Sequence, residues 1–229
     1  MLRGVNSQEQ DLLDQIFGEI APDMPPMPPE QRRPEDYYER ARQVVEWQHK
    51  KEFTTGFYQT ENESADAFDR AVPHDLFKVH REVCGTLISP RPAQSGVRMR
   101  IDRILVPKPK LLDEHGWRFG IVGCELKCSG EKVGPAIAQA MDYSRTVWLL
   151  DPDRQRFRIC LDYVFIWPMA KFGGTLASIC AQNRIGSAYG DEQYTKFGLK
   201  SGETGILDVQ TNGRVRVGKV LTGTRSGSR

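Results

Sequence analysis

The sequence predicts an α/β protein: a mixed sheet flanked by helices, preceded by an N-terminal helical arm. Three observations lead there. Apolar and polar residues alternate through residues 96–106 and 117–128, the period of a strand. Residues 134–150 show the three-and-four apolar spacing of a helix. A proline-rich stretch, residues 21–34, sets an amphipathic N-terminal segment apart from the rest. At 229 residues the chain has room for one medium domain with additions, or two small ones.

Ser7-Gln8-Glu9-Gln10 has the spacing of a capping box and opens a helix to Ile20, with Leu12, Leu13, Ile16 and Phe17 on its apolar side. Residues 21–34 then extend as a spacer. Pro34 suits the first position of a second helix, along which Tyr38, Ala41, Val45 and Gln48 share a face. Residues 1–60 are thus expected to form a helical arm, a surface open to a protein partner. Residues 61–229 form the second unit. There a helix is expected from Ser64 to Val72, and Pro73 resets the chain. A further helix over 74–84 ends at Gly85. Strands follow at 86–89, 96–106 and 117–128, then the helix at 134–150, with Pro135 near its start, and a strand at 157–167. The predicted order is helix, three strands, helix, strand. Beyond Gly173 one more helix and a terminal hairpin are expected, turning at Thr211-Asn212-Gly213.

Composition narrows the function classes. A hydrophobic fraction of 39% with 27% charged residues is that of a soluble globular protein. A net charge of +2 does not announce a nucleic-acid binder, although it permits a local basic groove. The first ten residues lack the apolar core of a secretory signal, and no apolar run approaches the roughly 18–20 residues of a membrane span. Five cysteines, an odd number without a CxxC pair, speak against a disulfide framework, a zinc ribbon and an iron–sulfur cluster. A cytoplasmic protein with no membrane attachment is the expectation.

The informative stretch is Gly120 to Gly130, GIVGCELKCSG, which inserts a glutamate and a lysine into an apolar run. In a strand Gly123, Glu125 and Lys127 share one face, while Val122, Cys124, Leu126 and Cys128 share the other and can pack into a core. In residues 98–103 the same alternation puts Met99, Ile101 and Arg103 on one face and Arg98, Arg100 and Asp102 on the other. If these strands are antiparallel neighbours, Asp102, Glu125 and Lys127 converge. Two carboxylates at close quarters need a cation between them to stay ionised. Oxygen ligands suit Mg²⁺ or Mn²⁺, which share their coordination with waters and phosphate oxygens. A neighbouring lysine can orient or deprotonate water, or neutralise developing charge. Such a group suits metal-dependent phosphodiester hydrolysis.

Asp102 followed by Glu125-Leu126-Lys127 resembles the signature of the PD-(D/E)xK nuclease superfamily, with Ile101 in place of the usual proline. Gln139-Ala140-Met141-Asp142-Tyr143 on the next helix resembles the QxxxY motif of its RecB-like branch. The resemblance covers residues 74–168. It implies a restriction-endonuclease-like core and a Mg²⁺-dependent or Mn²⁺-dependent nuclease acting on DNA, in repair, recombination or mobile-element processing. Asp102 and Glu125, with the Leu126 carbonyl, would hold metal; Lys127 would handle the water; Gln139 and Tyr143 would support the lysine or the phosphate. The family adds a ligand from its first core helix, and on the predicted helix over 74–84 both His80 and Glu82 remain candidates. Arg98, Arg100 and Arg103 are the candidate phosphate contacts. A homodimer is left open. The rival readings are a catalytically inactive nucleic-acid-binding module and a protein-interaction scaffold on the same fold.

Overall fold

The computed structural model describes residues 54–55, 58–88, 96–128, 131–150, 158–168, 174–190, 196–202, 204–210 and 212–218. The predicted arm helices and the proline-rich spacer lie outside these. Strand β1 (Thr54–Thr55) pairs with β5 (Glu131–Lys132) as a separate two-stranded ribbon.

Helix α1 (Glu61–Ala71) begins at Thr60, whose hydroxyl accepts the Glu63 N–H, while the Glu63 carboxylate accepts the Gln59 N–H at 2.8 Å. These bonds satisfy donors that a helix start leaves open. It buries Ser64, Ala67, Phe68 and Ala71, the spacing of one helical stripe. Three strands follow: β2 (Phe77–Leu87), β3 (Arg98–Pro107) and β4 (Val122–Leu126), each antiparallel to the next, with the short α2 (Pro109–Asp113) between β3 and β4. Helix α3 (Val133–Tyr143) leads to β6 (Thr146–Leu149), β7 (Arg158–Ile159) and β8 (Tyr163–Trp167), and β8 runs parallel to β4. Helix α4 (Gly174–Gln182) precedes β9 (Ile185–Gly190), β10 (Lys196–Ser201), β11 (Thr204–Gln210) and β12 (Val215–Val217). The strands other than β1 and β5 form a ten-stranded mixed sheet in the order β12-β11-β10-β9-β8-β4-β3-β2-β6-β7.

Both faces of the sheet are covered. On one, Phe68 of α1 packs edge-on against Trp167 (5.4 Å) and Phe197 (6.0 Å), among Leu105, Val122, Cys124 and Leu126. On the other, Ala136, Ile137, Ala140 and Met141 of α3 and Ile179 of α4 meet Ile104, Val164 and Ile166. Strand β8 shows the alternation cleanly, with Phe165 and Trp167 facing one layer and Val164 and Ile166 the other. No helix among the described residues is long and apolar enough to cross a membrane.

Three expectations change. Residues 77–87 are a strand, not the end of a helix over 74–84; pairing with β3 from Phe77 to Thr86, interrupted at Glu82, outweighs the local pattern that read as helical. The helix predicted over 134–150 ends at Tyr143, and Thr146-Val147-Trp148, β-branched and aromatic, instead add β6 beside β2. The single strand predicted at 157–167 is two strands, β7 and β8. The expected terminal hairpin is present as β11–β12, turning between Gln210 and Arg214, and it closes the longer meander β9–β12.

Candidate active site

A cleft of about 610 Å³ opens where β3 begins and β4 ends, beneath the first turn of α1 and the last turn of α3. Asp102, Glu125, Lys127, Gln139 and Tyr143 all line it, as do Arg98, Arg100, Arg103 and Glu82. His80 does not; it is half-buried across from Ile104, and burial and the Lys78 charge hold its pKa below the ordinary value.

Glu125 belongs to a strand buried along its whole length and is 3% exposed. Its Oε1 meets Lys127 Nζ at 2.9 Å, so the two side chains predicted to share a face do so. Its Oε2 is buried without a hydrogen-bond partner. Burial, then the nearby Asp102 charge, raise the Glu125 pKa to about 7. The Lys127 backbone is held from two sides: its N–H donates to the Trp167 carbonyl (2.8 Å), and its carbonyl accepts the Ser64 hydroxyl of α1 (2.7 Å). Gly123 leaves no open space beside this pair, because a Cβ there would meet Ile101 Cδ1 at 2.5 Å and Leu161 Cδ1 at 2.6 Å.

Asp102 sits where β3 and β4 part. Their pairing runs from Leu105–Val122 to Arg103–Cys124, and beyond it Asp102 Oδ2 accepts the Leu126 N–H at 2.7 Å. A side-chain carboxylate thus takes a donor that a continued ladder would give to a carbonyl. Burial raises the Asp102 pKa, this N–H opposes the shift, and the Glu82 charge adds to it.

Alternation along β3 and β2 slips at this point. Ile101 and Ile104, three residues apart, pack in the same core layer, and across the ladder Val79 and Val83 pack in opposite layers. Glu82, at φ +50, lies in the slip, between the paired Arg81–Arg103 and Val83–Ile101. This corrects the predicted face of Arg103. It leaves the Ile101 side, is 5% exposed, and binds Asp69 of α1 through Nε (2.9 Å) and Nη2 (3.0 Å), with Nη1 donating to the Asp102 carbonyl at 2.9 Å. It anchors the strand. Arg98 and Arg100 remain at the mouth, Arg98 near Cys84 Sγ (3.7 Å) and Arg100 paired with Glu82 (3.1 Å).

Gln139 and Tyr143 face the cleft one helical turn apart and are hydrogen-bonded to each other; the Tyr143 hydroxyl donates to the Arg100 carbonyl at 2.6 Å. The pair therefore braces β3 from the α3 side, as Asp69 and Arg103 brace it from the α1 side. Glu82 lies on β2, not on a core helix, so the helical argument between it and His80 falls away. The cleft's helical carboxylate is Glu61, in the first turn of α1. The reading of a helix starting at Ser64 missed it, although Thr60-Glu61-Asn62-Glu63 carries a capping-box spacing that marks the true start.

Among the described residues, no group of three or more His, Cys, Asp or Glu side chains is gathered closely enough to hold a metal ion unaided. Mg²⁺ asks for less, because it keeps several waters and is commonly held by one or two carboxylates plus substrate phosphates. A buried carboxylate with an unpartnered oxygen, Glu125, and a partly buried one, Asp102, fit that requirement. No known protein family, curated protein or solved structure matches the chain.

Proposed function

We propose that this protein is a divalent-cation-dependent nuclease of the PD-(D/E)xK type, acting on DNA. The observation that carries the reading is the meeting of Asp102, Glu125 and Lys127 in one cleft, with Glu125 Oε2 buried and unpartnered. The order α1, β2–β3–β4 antiparallel, α3, and β8 parallel to β4 supports a restriction-endonuclease-like core, with β6–β7 and β9–β12 extending its two edges.

Asp102 and Glu125, with the Leu126 carbonyl that the resemblance implies, would hold Mg²⁺ or Mn²⁺. The bound cation would supply Lewis-acid polarisation of the scissile phosphate and neutralise charge that builds there. Lys127 Nζ is tethered to Glu125 Oε1 in the free protein. Released from it, the ammonium can donate to the attacking water or to a phosphate oxygen, where charge develops in the transition state. Arg98 and Arg100 at the mouth would contact backbone phosphates, Gln139 and Tyr143 would keep β3 in place, and Arg103 would do so from within.

The test compares plasmid nicking and Mn²⁺-dependent melting in two variants. A group acting mainly in the transition state costs rate more than binding when removed. Lys127→Ala should cut at least about 100-fold more slowly, roughly 3 kcal/mol, and keep its stabilisation by Mn²⁺. Glu125→Ala should lose both. Nicking by Lys127→Ala at the parent rate would remove the basis of the assignment.

A further inference from the structure

The arginines at the cleft differ in how firmly they are held. Arg103 is sunk against Asp69, and Arg81 reaches the same carboxylate at 3.0 Å. Arg100 is 69% exposed and meets Glu82, itself 52% exposed, at 3.1 Å. Beneath that side chain the backbone is pinned, because the Arg100 carbonyl accepts the Tyr143 hydroxyl. The guanidinium can therefore swing on a fixed base. Glu82 is held in the left-handed region at φ +50, in the middle of a strand. A residue with a Cβ stays there only where its surroundings over-determine it. The result is a carboxylate at the alternation slip, directed at Arg100 and lying 4.0 Å from Arg103.

We propose that Glu82 gates Arg100: it neutralises the guanidinium in the free protein and yields it to a phosphate of the nucleic-acid backbone. The inference rests on the nuclease reading and makes Glu82 a positioning residue, not a cation ligand. An exposed ion pair is weak and readily exchanged. Carboxylate and phosphate compete for the same planar fork of donors, so a phosphate can take the place of Glu82 without moving the strand. Arg103 cannot be released in this way, since it is buried against Asp69, and Arg81, although 62% exposed, pairs with Asp69 and not with Glu82. Removing the Glu82 charge should therefore act on nucleic-acid affinity mainly through Arg100, its nearer and more exposed partner.

The experiment measures binding of a short fluorescein-labelled DNA duplex to the full chain by anisotropy, in EDTA, so that neither cation binding nor turnover contributes. Glu82→Gln should tighten binding by about two- to fivefold, the range open to one exposed pair. Arg100→Gln should weaken it, and the double variant should match Arg100→Gln, because Glu82 then has nothing to gate. Glu82→Asn, which accepts a positive φ more readily, should reproduce Glu82→Gln if charge and not folding is responsible. Equal tightening with and without Arg100 would mean general repulsion and overturn the gate, as would no tightening at all. A parent that binds duplex and cleaves with Mn²⁺, yet shows no such dependence, overturns the gate alone. A parent that neither binds nor cleaves overturns the nuclease reading and the gate with it.

Discussion

Asp69 accepts both arms of Arg103, and Arg103 in turn donates to the Asp102 carbonyl, so one chain of charged hydrogen bonds ties α1 to the strand that carries a candidate ligand. Arg103 is 7% exposed in its side chain and Asp69 15%, which makes this a largely buried pair and not a surface one. Removing one partner strands the other charge. Asp69→Asn should therefore cost about 3–5 kcal/mol in urea unfolding, and the Mn²⁺-dependent rise in melting temperature should shrink as Asp102 loses its anchor. At this scale the sequence was most legible where a group lies within one element: the Glu125–Lys127 pair two residues apart, and Gln139 with Tyr143 one helical turn apart. Asp69 with Arg103, 34 residues apart, left no local pattern to read. Arg103 was placed on the wrong face because strict alternation cannot anticipate a slip that arises between two paired strands.

Strand β2 shows why element type was harder to read than site chemistry. Its burial does not alternate along its whole length, and Pro73 ahead of it and Gly85 within it read like helix boundaries. Yet β3 pairs with it along one side and β6 along its last residues, and that pairing decides the outcome. Gly85 is where the three strands meet. A Cβ there would fall 2.5 Å from Thr146 Cγ2, 2.7 Å from Trp148 Cε3 and 2.7 Å from the Val147 carbonyl oxygen. The carbonyl cannot rotate aside as a side-chain end can. Gly85→Ala should thus push β6 from β2 and lower stability by about 1–3 kcal/mol, the usual cost of overpacking, measured as a lower denaturation midpoint. Tyr143 and Gln139 lie just ahead of β6, so nicking should fall as well.

For the whole molecule, the candidate site is a cost to the cation-free fold. Burial and Asp102 raise Glu125 from the ordinary 4.5 to about 7. Between those values the folded protein holds a proton that the unfolded chain has released, so stability falls as pH rises through that window. The loss is at most about 3 kcal/mol and is complete above pH 7. Urea midpoints in EDTA should show this decline, and Glu125→Gln should flatten it. Mn²⁺ should reduce it, because a cation favours the ionised carboxylate. Deleting residues 1–33, which supply no proposed site residue, should leave cooperative unfolding and Mn²⁺ stabilisation intact; a broad, non-cooperative melt would show that the arm completes the core. By itself the sequence determined the α/β class, the apolar face of β4 and the identity of the paired acid and base, because each is a short-range pattern with a fixed period. The tertiary structure decided the rest: that 77–87 is a strand, that six further strands flank the central four, and that Glu61 and Asp69 of α1 belong beside the site. These depend on backbone hydrogen bonds and ion pairs between residues far apart in the chain, which local periodicity does not record.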